Sequence, residues 1–123
     1  MTSERYGSDV TPDLFDDTDA DIRQRWRKLV ESDLPYLARS RPNWPVHLDH
    51  CFARILLDNA FGAPWRDVIK PPAWRNTPLP ILEKAIKLGE DVLAEKADLW
   101  ALNNRSLVLR GKRPRHTPKA KSD

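Results

Sequence analysis

Cysteine and glycine are scarce in this sequence, and each shortage excludes something. Cys51 is the only cysteine among 123 residues. That excludes an intramolecular disulfide and any multi-cysteine zinc or iron–sulfur module. The four glycines are scattered, so no Gly-rich phosphate loop is present. No run of about 18 apolar residues occurs, so no segment reads as a membrane span. Residues 1–21 are polar and acidic, and no secretory leader is expected in them. A reduced intracellular compartment follows, nuclear or cytoplasmic, with no membrane and no disulfide partner. Few segments alternate with period two and no internal repeat is found, so a sheet is not expected.

What is present is charge and tryptophan. Charged residues make up 32% of the chain and apolar residues 40%, with five Trp. The usual proportions are about a quarter charged and about 45–50% apolar. One domain with a single modest core is expected. The net charge of +3 conceals a gradient. Residues 1–21 hold seven acids against Arg5, residues 22–109 hold 14 bases and ten acids, and residues 110–123 hold six bases and Asp123. The charge pattern predicts an acidic disordered arm over 1–18, a helical domain over 19–109 and a basic disordered tail over 110–123. The acidic arm reads either as a solubilising tail or as a docking segment for a basic surface.

The expected fold is all-α, a small three-helix domain with a Trp/Pro-rich connector. Ile22, Trp26, Leu29 and Val30 recur at helical spacing and predict a first helix near 19–33, which Pro35 ends or kinks. Pro45 suits a helix's first turn and Gly62 a helix stop, giving a second helix over 45–61. Leu48, Phe52, Ile55 and Leu56 form its main apolar face, and its apolar girth places it centrally. The connector carries Trp65, Pro71, Pro72 and Trp74, with both indoles expected to pin it to the core. Thr77 reads as an N-cap and Pro78 as the first residue of a third helix, near 78–101. Gly89 lies in the middle of its apolar arc, which implies close approach by a neighbouring helix or a Trp ring. Ser106-Leu107-Val108-Leu109 is either a last helical turn or an apolar patch for a partner.

One constellation has the makings of chemistry. His47, His50, Cys51, Arg54 and Asp58 share a stripe about 100° wide on an ideal 45–61 helix. Three readings are open. The groups bond one another and nearby backbone, with Arg54 and Asp58 paired one turn apart. Alternatively, His47 activates Cys51 as a nucleophile, Arg54 holds an anion and Asp58 orients the base. Or His47 and Cys51 begin a metal site, although zinc wants three or four ligands. The sequence identifies no cofactor.

The tail is the second candidate. Arg110, Lys112, Arg113, Arg115, Lys119 and Lys121 suit a solvated tail, a nuclear-import stretch or a phosphate-binding arm. No aromatic residue lies among them to stack on a base. Thr117-Pro118 matches a proline-directed phosphorylation site.

The run Trp44-Pro45-Val46-His47-Leu48-Asp49-His50-Cys51-Phe52-Ala53-Arg54-Ile55-Leu56-Leu57-Asp58, followed by Pro64-Trp65, resembles a small family found in fungi and bacteria. The resemblance spans residues 40–95 and omits both arms. Some members carry an acetyltransferase label of the GNAT type, a mixed α/β fold with a Gly-rich pyrophosphate turn. This chain has neither that turn nor strand signals, so the resemblance implies a shared helical module and carries no activity. The functional expectation is a small non-catalytic interaction or accessory protein that binds a protein or nucleic-acid partner through its charged arms. The rival expectation is an enzyme or ligand- or metal-binding protein using the His47/His50/Cys51/Arg54/Asp58 stripe.

Overall fold

A computed structural model describes residues 11–116, with side chains from Thr18 onward. All regular structure among them is helical. The first helix, α1, spans Thr11–Lys28. It therefore begins inside the segment expected to be a disordered arm. Pro35 does not end this helix. A π-helical turn, Leu29–Asp33, intervenes before α2 (Leu34–Ala38). Leu34 N–H bonds back to the Leu29 carbonyl, a five-residue step. A proline inside an α-helix lacks a donor and collides with the carbonyl four residues back. Here Pro35 falls in the first turn of α2, where the missing donor is tolerated.

The central helix, α3, spans Asp49–Phe61 and is shorter than expected at its start. Leu48 caps it in an extended conformation. Pro45, His47 and Leu48 therefore lie outside it, and Leu48 is 59% exposed rather than in the core. The stop is as expected: Gly62 takes φ +72°, and its N–H bonds the Asp58 carbonyl at 2.8 Å.

A 3-10 turn at Trp65–Asp67 and the short α4, Ala73–Asn76, make up the link to α5 (Leu79–Leu93). The Pro71–Pro72 peptide is cis. Thr77 does not cap α5. It is buried and donates Oγ1–H to the Ala73 carbonyl at 2.7 Å, closing α4 instead. Pro78 becomes the N-cap of α5 and Pro80 falls in its first turn. Arg23 of α1 donates to the carbonyls of Trp74 (2.9 Å) and Thr77 (3.0 Å), tying the link to the first helix.

The expected single helix over 78–101 is two. It breaks after α5, and α6 runs Leu99–Leu109. Glu95 takes φ +60° just beyond the α5 C-cap Ala94, a position where glycine is usual. The Asp98 carboxylate then accepts from Trp100 N–H at 2.9 Å and starts α6. Ser106–Leu109 are the last turn of that helix.

α3 packs on α5, α6 and the π turn, and α1 packs on α5. Phe52, Ile55 and Leu57 of α3, Leu34 of α2, and Leu82 and Ala85 of α5 are sealed from solvent. Each large one contributes about 1.5–3 kcal/mol of burial. Trp26 and Trp65 are buried with them, Trp74 is half-buried, and Trp44 meets Phe52 edge-on at 5.9 Å. Gly89 is where α5 meets its neighbours: an added Cβ would lie 2.5 Å from Leu29 Cδ2 and 3.0 Å from Leu56 Cδ1.

Candidate functional site

Two polar stripes face one another across the α3–α6 contact. On α3 they are Arg54 and Asp58. On α6 and its C-cap they are Asn103, Ser106 and Arg110, spaced i, i+3, i+7 on one face. Flanking leucines commit the rest of each surface to packing, so the stripes must satisfy one another.

Asp58 is wholly buried and saturated. Oδ1 accepts from Trp65 N–H (2.9 Å) and Arg110 Nη2 (3.1 Å). Oδ2 accepts from Ser106 Oγ–H and Arg110 Nε, each at 2.6 Å. A carboxylate offers about four lone-pair sites, and all are used. The carboxylate raises the Arg110 pKa, first through its hydrogen bond, against the opposing effect of burial. Arg54 does not pair directly with Asp58. It donates to Ser106 Oγ at 2.8 Å and to Asn103 Oδ1 at 2.7 Å. Ser106 thus accepts from Arg54 and passes its own proton donation to Asp58. Burial lowers the Arg54 pKa most; Cys51 opposes this, Arg110 reinforces it, Asp58 opposes it and Arg115 reinforces it. Asn103 Nδ2 is buried with no hydrogen-bond partner among the described residues.

The other members of the expected stripe leave it. His47 precedes α3, so the one-turn spacing that paired it with Cys51 is lost. Its Nε2 lies 2.9 Å from the Arg41 carbonyl at the surface. His50 is exposed, with Nδ1 3.5 Å from the Asp49 carboxylate. Cys51 stays on α3, half-buried. Among the described residues no three His, Cys, Asp or Glu side chains are gathered as a metal site would require. A serine bonded to a carboxylate is a component of nucleophilic catalysis, but Ser106 is sealed from solvent and from any substrate.

Sequence reasoning missed Asn103, Ser106 and the inward role of Arg110. Their i, i+3, i+7 spacing was a signal, hidden because the third helix was expected to end near residue 101.

The start of the basic tail belongs to the folded domain. Besides Arg110, Arg115 is anchored: its N–H and carbonyl both bond the Asn104 side-chain amide, at 2.8 and 2.9 Å. Its guanidinium donates to the Pro45 carbonyl at 3.0 Å and lies 5.2 Å from the Trp100 ring centroid. Lys112 and Arg113 are exposed. Lys119, Lys121 and Thr117-Pro118 lie outside the described residues. No described helix is long and apolar enough to cross a membrane. No family model matches the chain, and no curated protein or solved structure matches it.

Proposed function

We propose that this protein is a small non-catalytic interaction or accessory module whose partner is a protein or a nucleic acid. The observation that carries the reading is the saturation of Asp58. The carboxylate of the stripe is buried and has every acceptor site occupied by its own chain. A general base or anion-activating carboxylate needs a free lone pair within reach of a substrate proton. Supporting this, the two histidines lie apart at the surface, so no base is placed on the half-buried thiol by the helix.

Replacing the reactive side chains that lie outside the buried network tests this. The variant carrying His47→Ala, His50→Ala and Cys51→Ser is expected to fold and to restore normal growth or phenotype in cells lacking the native gene. A variant that folds, by circular dichroism and thermal melting, yet fails to restore it overturns the reading in favour of chemistry at this stripe.

A further inference from the structure

From Leu99 to Ser122 the chain contains no acidic residue and seven basic ones. In a chain with 18 acids this is a pronounced segregation. The described part of that run is held in place. α6 ends in a left-handed turn at Gly111 (φ +76°), with Gly111 N–H on the Val108 carbonyl (2.9 Å) and Lys112 N–H on the Leu107 carbonyl (2.8 Å). Four residues later Asn104 grips both the N–H and the carbonyl of Arg115. The segment Arg110–His116 is therefore fastened at both ends, by Arg110 on Asp58 and by Arg115 on Asn104, Pro45 and Trp100.

The fastening displays charge outward. Arg105, Lys112 and Arg113 are exposed, and among the described residues none has an ion pair or a side-chain hydrogen bond. Arg54, beneath the same segment, bonds only the neutral Ser106 and Asn103. Arg110 and Arg115 both lie close enough to Arg54 to oppose its charge, and the carboxylates near Arg110, Asp58 and Asp67, favour that arginine, with Asp58 hydrogen-bonded to it. A surface that collects like charges on a fixed backbone is complementary to a regular row of anions.

Resting on the interaction-module reading, we propose that Lys112 and Arg113 on the anchored Arg110–His116 segment, with Arg105 on α6, form a docking element for the phosphate backbone of a nucleic acid. Guanidinium forks match phosphate oxygens. Trp100, the aromatic ring of this surface, is already covered by Arg115, so base stacking is not offered. Binding is then to backbone and indifferent to sequence.

Fluorescence anisotropy tests this with the full chain and labelled 20-mers, a duplex DNA and a single-stranded RNA of mixed sequence, at several salt concentrations. Poly-glutamate of matched charge serves as competitor. Binding to at least one oligonucleotide, independent of sequence and resistant to poly-glutamate, is expected. Comparing the two oligonucleotides tells which nucleic acid supplies the phosphates. Lys112→Ala with Arg113→Ala should lower the slope of log K against log salt on duplex by about two, at about 0.9 per phosphate. Asn104→Ala keeps every charge and removes the grip on the Arg115 backbone, leaving only the guanidinium contacts to hold that end; it should weaken binding several-fold. Affinity unchanged in Asn104→Ala, with fold intact, overturns the ordered element. Poly-glutamate competing as well as nucleic acid overturns the phosphate assignment in favour of an acidic protein partner. No binding to either oligonucleotide overturns the proposal and leaves the phenotype test of the interaction module standing independently.

Discussion

Asp58 and Arg110, 52 residues apart, meet in a two-point contact with Oδ2–Nε at 2.6 Å and Oδ1–Nη2 at 3.1 Å. The two ends of the pair differ in exposure: the Asp58 side chain is 0% exposed and that of Arg110 24%. Removing either partner should therefore have unequal effects. Arg110→Ala leaves a buried carboxylate with Ser106 and the Trp65 N–H alone, and should destabilise the domain by about 3–5 kcal/mol. Asp58→Asn leaves a guanidinium that can turn to water, and should cost less. Urea unfolding of the two variants measures both.

Gly89 gives a prediction in which two effects oppose. Alanine is favoured in a helix interior by about 1 kcal/mol. The new Cβ, however, would meet Leu29 Cδ2 at 2.5 Å and Leu29 Cγ at 3.2 Å, inside a sealed core. Overpacking of this kind costs about 1–3 kcal/mol. Gly89→Ala should lower stability by about 1 kcal/mol in the native sequence. In a Leu29→Ala background only Leu56 Cδ1, at 3.0 Å, still crowds the new Cβ, and it can give way into the vacated space, so the same substitution should raise stability there. Thermal melting of the four proteins reads the change of sign.

Glu95 sits in the left-handed region while its carboxylate bonds Arg41 at 2.6 Å on the surface. Such a backbone costs a non-glycine residue about 1–2 kcal/mol, whereas an exposed ion pair contributes about 0–1 kcal/mol. Glu95→Ala and Glu95→Gly both lose the ion pair, and only glycine relieves the backbone. Glu95→Gly should be the more stable of the two by about 1 kcal/mol, by urea unfolding.

The helical class, the central place of α3, the Gly62 stop and the packed role of Gly89 were legible because each rests on local signals: periodicity, a left-handed stop and an unexplained glycine in an apolar arc. The α5–α6 break was not. Ala94-Glu95-Lys96-Ala97 are all good helix formers, and nothing in their side chains announces a left-handed residue. Asp98 was the available signal, as an N-cap before Leu99 and Trp100. The candidate stripe was half legible. Arg54 and Asp58 do share a buried face, yet their partners come from a helix about 50 residues on, and periodicity on one helix cannot register its neighbour. The start of α3 was misplaced because Pro45 is as compatible with the extended lead-in as with a first helical turn, and that error carried His47 onto the stripe.

The tail yields a prediction about location that the anchoring changes. Deleting residues 110–123 would remove the Arg110 and Arg115 contacts as well as the exposed charge. The informative variant keeps both arginines and replaces Lys112, Arg113, Lys119 and Lys121 by alanine. It should melt at the temperature of the parent. If the tail is a nuclear-import stretch, a fluorescent fusion of this variant should spread into the cytoplasm; an unchanged distribution removes the import role.

The polar stripe of α3 locks it to α6 and its C-cap through Arg54 and Asp58. A double-mutant cycle on Asp58→Asn and Arg110→Ala, read by urea unfolding, tests it most directly. The two substitutions together should cost less than the sum of the singles, with a coupling of at least about 1.5 kcal/mol, within the range for contacting residues. Additive effects, with coupling near zero, would contradict it.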